Sequence, residues 1–551
     1  MILGRVPARR AGLALVVLGA AALRFWAVGL GHEPVRFEVA PHHEVLVTPL
    51  SFQIDEDHNT WIPTRLTWHD LNPHAFYLPS LLWYLSFGVD QVLFWLGRQF
   101  GFLTTWADVR RLVEGPNPTP FFLVGRSLSA VLGTATVGLL YGVGCRLWSP
   151  AHGLLAAAFL AGTFLHVRDS ALATTDAPTA LFVVLSLLGT GGVLRQGRLR
   201  DYLLAGGGAG LAVATKYNAV LVLVALVVAH LSRRREIAVK PHYGATARRL
   251  AGATLVGALV FLTFDPYLLF DWREARVDLL WNANVFGHGR FVDVGPGWWY
   301  HLAVSLRYGM GVALLGLAAA GLAWGLWRHD PAAWTLGSFV AVFFAVMGAG
   351  RLVHVRYMTP LLPVLCLFAA TALLGLSGWL PGPRTRWGLV AALGALVMVE
   401  PVDSAVRYGQ VVHHVDTRVE AYEFLLTLPP ESRIVTYGPS EVWRSVVPRW
   451  QPDYYAKQPE ERWSDVLELL KTRETRYVLV HTSTLEVFSP TLPDLERALR
   501  GTATLLREFS PYLPGAHPQP VYDWTDPYYV PIGRFAGVKR PGPMIRLYHL
   551  D

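Results

Sequence analysis

AGLALVVLGAAALRFWAVGL (residues 11–30) and, a little further on, IDEDHN (residues 54–59) decide how this chain is read. At about 1.5 Å rise per residue, about twenty apolar residues cross the hydrocarbon of a bilayer, so the first stretch predicts a transmembrane helix. Asp55, Glu56 and Asp57 then lie close to its far end. Carboxylates near a membrane face are costly unless they meet water, a cation or a reaction, which makes these three functional candidates. The alternative is a solvated acidic loop.

The 551 residues are 52% hydrophobic and only 16% charged, with a mean hydropathy of +0.34. A soluble globular protein is nearer a quarter charged. The apolar residues come in repeated runs, so the chain reads as a polytopic membrane protein. Its net charge of +8 comes from Lys and Arg in short clusters between those runs. That is the pattern of the positive-inside rule, so the basicity reports topology and no nucleic-acid partner. The two cysteines, Cys145 and Cys366, lie within apolar segments and read as small buried hydrophobes without a disulfide. MILGRVPARR is basic, yet the run after it lacks a clear small-residue cleavage site, so it reads as a retained anchor that starts in the cytosol.

Apolar segments recur at about 11–30, 76–97, 121–147, 151–167, 178–194, 202–230, 248–270, 301–327, 333–349, 357–377 and 387–402. If the arginine clusters around Arg10, Arg146, Arg195–Arg200, Arg233–Arg235, Arg328 and Arg384–Arg386 are all cytosolic, parity imposes two conditions. The segment from Phe76 to Gly97, with Pro79, Asp90 and Gln91, must lie in the interface and not cross. Residues 202–230 must cross twice, breaking at TKYN (Thr215–Asn218) after GGGAG. Irregular backbone at membrane depth is tolerated only beside protein or a water-filled cavity, so Lys216 would point into an outward-facing cavity.

The expected architecture is therefore a polytopic α-helical membrane protein of about eleven spans. Residues 1–402 form its membrane domain, with 31–120 as the first outer loop, and residues 403–551 form a small extracytoplasmic α/β domain. In that tail RIVTY (433–437) and RYVLVH (476–481) read as strands, and RVEAYEFLLTL and SDVLELLKT as helices before them. TDPYYVPIGRF (525–535) closes it as an aromatic, proline-rich stretch.

Several pieces, in order over about residues 15–380, resemble a known family. They are Asp55-Glu56, NPHAFYLPSLLWYL from Asn72, VGRSLSAVLGTATVGLLYGVGCRLW, HVRDSALATTDAP, GLAVATKYNA, DPYLLFDW, GPGWWYHLAVSLRYG and VRYMTPLLP. Together they resemble the GT-C glycosyltransferases of the family 39 group, which includes protein O-mannosyltransferases and the bacterial aminoarabinose transferase. The tail does not resemble the MIR domain of the eukaryotic members. The resemblance implies inverting transfer of a sugar from a polyprenyl phosphate to a protein, lipid or glycan acceptor on the outer face of the cell membrane.

That chemistry needs a carboxylate to take the proton of a weakly nucleophilic hydroxyl, and Asp55 matches the family's catalytic Asp, with Glu56 beside it. The leaving polyprenyl phosphate gains negative charge and needs cations and donors. Lys216, Arg168, Arg351 and Arg356 are the candidates, with Asp176, Asp169, Tyr217 and His74 completing the substrate-binding set. Each has a plainer reading: Lys216 could snorkel to the interface, Arg168 and Asp169 could be a local ion pair, and one of Arg351 and Arg356 could be structural. Arg126 could bond backbone or a loop acid. His42, His43, His58 and His74 match no closed zinc spacing, and no metal ligand is assigned. A hydrated divalent ion between Asp55 and Asp176 stays open. Trp298, Trp299 and Tyr300 read as an interfacial belt. The rival function is a lipid or solute transporter or flippase, which predicts inverted repeats and charges at mid-bilayer. A non-catalytic scaffold gives no reason for four charged turns to converge.

Overall fold

The computed structural model describes residues 5–29, 35–40, 43–47, 54–114, 119–236, 243–289, 293–429, 432–438, 462–484, 492–525 and 529–550. By internal contacts the chain forms two compact units. One comprises Met1–Val28, His58–Phe102 and Leu123–Val406, and the other Gly29–Asp57, Leu103–Phe122 and Arg407–Asp551. The division falls at Val406 against the expected 402, and the first outer loop, expected as one piece at 31–120, is shared between the units.

Every stretch read as a span carries a helix. These are Arg5–Ala27, Thr119–Leu147, Pro150–Gly162, Asp176–Arg195, Leu199–Val213, Leu223–Glu236, Tyr243–Phe264, Val312–Trp327, Pro331–Ala349, Leu362–Ser377 and Pro383–Val412. Among the described residues 7 helices are long and apolar enough to cross a membrane alone, or up to 8 if a bent pair counts as one span. Pro150–Gly162 and Tyr217–Arg233 are shorter apolar helices. The helix expected to lie in the interface spans Leu81–Gln99 and does not start at Phe76. Pro79 precedes it, and the Ser80 N–H is spent on the Asp265 carboxylate at 2.6 Å.

The break expected at TKYN is present. The helix Leu199–Val213 ends, Lys216 is extended, and a 3-10 turn Tyr217–Val222 leads into the next helix. The preceding glycines serve packing. A Cβ on Gly206 would lie 2.0 Å from the Ala253 carbonyl oxygen, and one on Gly208 2.6 Å from the Ser186 amide, so two neighbouring helices press their backbones onto opposite sides of this one.

Two segments read as continuous are not. Thr163 separates Pro150–Gly162 from a short helix Phe164–Asp169. The 301–327 stretch bends by 112° between Trp298–Met310 and Val312–Trp327. Gly311 at the bend has φ 78°, a left-handed conformation that favours glycine, and Glu400 accepts from the Val312 amide at 2.9 Å.

The second unit contains a hairpin of β1 (Val35–Ala40) and β2 (His43–Val47) and a four-stranded sheet. The sheet is made of β3 (Ile434–Tyr437), β4 (Tyr477–Thr482), β5 (Ala503–Phe509) and β6 (Met544–Leu550) in the order β3-β4-β6-β5. β3 and β4 are parallel and joined across the helix Trp463–Thr472, as the alternation of helix and strand predicts; β6 is antiparallel to β4 and β5. Side chains alternate across the sheet. Leu479, Ile545 and Leu547 pack on the helix Thr417–Leu425 side with Val419 and Tyr422. Val478, Val480 and Tyr548 pack on the other side with Val466, Leu470 and Leu495. Residues 526–528 of the expected closing stretch lie outside the described residues.

Candidate functional site

In HVRDSALATTDAP the residues from His166 to Ala177 are buried. The helix Asp176–Arg195 starts at its end, and Asp176 is 1% exposed. A carboxylate at a helix N-terminus is favoured by the unpaired amides there, and this one also gains a cation. Lys216, at the break after Val213, donates from Nζ to Asp176 Oδ1 at 2.6 Å. Arg356 Nε lies 3.8 Å from Asp176 Oδ2. Arg168 and Asp169 pair at 2.9 Å, and the Thr359 hydroxyl donates to the other oxygen of Asp169. Asp169 is also an electrostatic neighbour of Asp176 and Arg356.

Arg168, Asp169, Asp176, Lys216 and Arg356 are thus brought together from three separate stretches. Three cations face two carboxylates, which leaves the cluster net positive. Lys216 also sits 4.9 Å from the Tyr357 ring centre, and its side chain is only 12% exposed, so it does not snorkel to water. The Arg168–Asp169 pair, for which the plainer reading is a local ion pair, is both local and part of the cluster.

NPHAFYLPS is fastened beside this break. Leu81 donates from its amide to Ala214 O at 3.0 Å, Tyr217 donates from its hydroxyl to Phe76 O at 3.0 Å, and Asn282 donates to Tyr77 O at 2.7 Å. The Phe76 amide is taken by Asp278 at 2.6 Å. Tyr217, expected on the substrate, therefore holds the loop backbone through its hydroxyl. His74 is exposed, with φ 48°, and its Nδ1 lies 3.2 Å from Glu274 and 3.6 Å from Asp271. The Asn72 amide donates to Asp271 at 3.0 Å, and that hydrogen bond lowers the Asp271 carboxyl pKa below the ordinary range, with His74 adding to it. His74, Asp271 and Glu274 offer ligand atoms within 4.8 Å of one another and could hold a metal ion. Sequence spacing hides this group, since its members lie about two hundred positions apart.

IDEDHN opens the helix Ile54–Arg65, and its three acids occupy the first turn, where the helix dipole favours them. Glu56 is fully buried; Asp55 and Asp57 are half-buried. Asn59 stands one turn after Asp55. It donates to Ala173 O at 2.9 Å and accepts from the Trp83 indole at 2.8 Å, so the rest of this helix is held to the stretch that carries Asp176. Arg351 is apart from the cluster, on a half-exposed pair with Asp293. Trp298 and Trp299 are exposed as a belt requires, but Tyr300 is 2% exposed and belongs to the core.

Residues 122–269 match the family model described as dolichyl-phosphate-mannose-protein mannosyltransferase. No curated protein matches the chain by sequence. Among solved structures, the chain is similar to ArnT from Cupriavidus metallidurans bound to undecaprenyl phosphate. The TM-score is 0.53 at 14% identity, over 90% of this chain and 96% of that one. Against the apo state of ArnT the TM-score is 0.51 at 14% identity, over 98% of each. The chain has the GT-C membrane fold. AglB from Archaeoglobus fulgidus, in complex with an inhibitory peptide and a dolichol-phosphate, aligns more loosely, with TM-score 0.47 at 12% identity over 91% of this chain and 73% of that one. The resemblance read in the sequence stands.

Within this GT-C fold one buried cation escaped sequence reading. Arg24, inside the first apolar run, is 0% exposed. It donates to Ala20 O and Ala161 O at 3.1 Å, to Leu160 O at 3.3 Å, and to His166 Nδ1 at 2.7 Å. Arginine has no acceptor, so His166 accepts on Nδ1. The guanidinium thus satisfies carbonyls where the Pro150–Gly162 helix stops and ties them to the short helix bearing Arg168 and Asp169. The signal was a lone arginine in an otherwise apolar run. Arg24→Met should cost on the order of 3 kcal/mol, seen as a lower Tm in detergent, with Arg24→Lys recovering part. An unchanged Tm in Arg24→Met would mean that the break holds without the guanidinium.

Proposed function

We propose that the protein transfers a sugar from a polyprenyl phosphate to a hydroxyl-bearing acceptor at the membrane's outer face. The observation that carries this reading is the buried, net-positive Asp176–Lys216–Arg356 cluster at a helix break within a GT-C fold. Such a site suits the phosphate of a lipid carrier, whose charge rises as the sugar leaves. Undecaprenyl phosphate and dolichol-phosphate, the lipids bound to ArnT and AglB, belong to that chemical class.

In the proposed step Asp55 takes the acceptor's hydroxyl proton while that oxygen attacks the anomeric carbon. The bond from that carbon to the carrier phosphate oxygen breaks in the same displacement, which inverts the anomeric centre. The electron pair stays on the polyprenyl phosphate, where Lys216 and Arg356 stabilise it. Asp176 orients Lys216 for this role, and Glu56 orients Asp55. The test is incubation of purified protein with a panel of polyprenyl-phosphate sugars, scoring release of the lipid phosphate in the presence of acceptor. Absence of release with every donor would refute the reading.

The accompanying topology has an inner N-terminus and an outer C-terminal domain. Arg497 and Arg198 are both exposed, so single cysteines there, with Cys145 and Cys366 replaced, report the two sides. Labelling in intact cells should reach position 497 and reach position 198 only after permeabilisation. The reverse result would invert the proposed orientation.

A further inference from the structure

The helix Asp176–Arg195 runs about 30 Å, by its twenty residues, from the acid–lysine cluster to an end of different character. There Arg195 donates to Leu147 O, and Trp148 donates to Asp330 at 2.6 Å. A cavity of about 500 Å³ opens beside them, lined among others by Ser149, His152, Leu374, Ser377, Arg386 and Trp387. No carboxylate among the described residues lines it. The nearby Asp330 is occupied by the Trp148 indole and by the Ala332 amide at 3.0 Å.

Arg386 is aimed by one bond, Nε to Leu380 O at 2.7 Å, and makes no ion pair among the described residues. Its two terminal nitrogens remain for an anion, as a planar fork suited to phosphate oxygens. His152 is oriented through Nδ1 by the Ser149 hydroxyl at 2.8 Å, which leaves Nε2 available. The apolar part of the lining includes Leu374 and the half-exposed Trp387, and directly after the lining residue Gly378 comes Trp379, whose ring lies 6.2 Å from Trp324, itself 5.7 Å from Trp327. Exposed tryptophans at the end of a helix bundle mark the headgroup level of a bilayer.

An acid-free cavity at that level, with a guanidinium, hydroxyls and an apolar flank, complements an amphiphilic anion. We infer that it holds the phosphate headgroup of an anionic phospholipid, in the leaflet opposite the proposed transfer site. This inference is independent of the transferase reading, because it uses other residues at the other end of the bundle.

Native mass spectrometry of the full-length protein, in detergent with phosphatidylglycerol and phosphatidylcholine, tests it. The wild type should retain phosphatidylglycerol in preference, and Arg386→Gln should reduce that preference about fivefold. Arg386→Lys should keep most of it. Arg384→Gln, outside the cavity lining, should keep all of it. An unchanged preference in Arg386→Gln would overturn the site. So would an equal loss in Arg384→Gln, which would mean general surface charge. Displacement of the lipid by millimolar inorganic phosphate would overturn the lipid assignment in favour of a free anion.

Discussion

Asp55→Asn is expected to abolish measurable transfer while leaving folding and donor binding intact. The amide keeps the size and most hydrogen bonds of the acid but cannot accept the acceptor's proton, and general-base help is typically worth about a hundred to ten-thousandfold in rate. The neighbours are the controls. Asp57 is half-buried in the same first turn and gains the same helix-dipole benefit, so Asp57→Asn removes a comparable charge without removing the proposed base. It should act only mildly. Single-turnover rates and donor affinity, measured side by side, separate the cases. Exchanged results would move the base to Asp57, and full activity in both variants would return these acids to the role of helix-terminal charges.

Lys216→Gln should lower kcat by about a hundredfold or more, as removal of one group aimed at developing charge does elsewhere, with a smaller change in donor affinity. The structure adds a complication, because Lys216 and Asp176 form a close buried pair. Removing one partner leaves an uncompensated charge, typically at a cost of about 3–5 kcal/mol, although Arg356 at 3.8 Å offsets part of it. The double variant Lys216→Gln/Asp176→Asn separates the two effects, since it removes the stranded carboxylate. Its Tm should return toward that of the wild type while kcat stays low. Recovery of kcat together with Tm would show that Lys216 serves only to balance Asp176.

The membrane architecture was legible from the chain because span length, apolar composition and arginine placement are local properties imposed by the bilayer. The break at TKYN, the alternation of helix and strand in the tail and the burial of Cys366 follow from short stretches read one at a time, whereas Cys145, expected to be buried, is only half-buried. The chain also marked Arg168, Asp169, Asp176, Lys216 and Arg356 as worth watching, through charges placed where apolar segments end. Their meeting could not be read there. It depends on the helix Asp176–Arg195 starting with its acid at the level where the helix Leu199–Val213 stops, and on the turn at Arg356 reaching both.

Tertiary structure alone decided the rest, because each case turns on partners far apart in sequence. Arg24 looks like a flaw in an apolar run until the carbonyls of Leu160 and Ala161 are beside it. Gly206 and Gly208 look like helix breakers until two neighbouring backbones are pressed against them. Nothing in the sequence announces the bond from the Tyr217 hydroxyl to the Phe76 carbonyl or the pair that Arg351 makes with Asp293. The sequence by itself therefore determined which segments leave water and which charges are costly. Only the packed structure decided which partner compensates each charge, because a buried group's energy is set by the few ångströms around it and not by its neighbours along the chain.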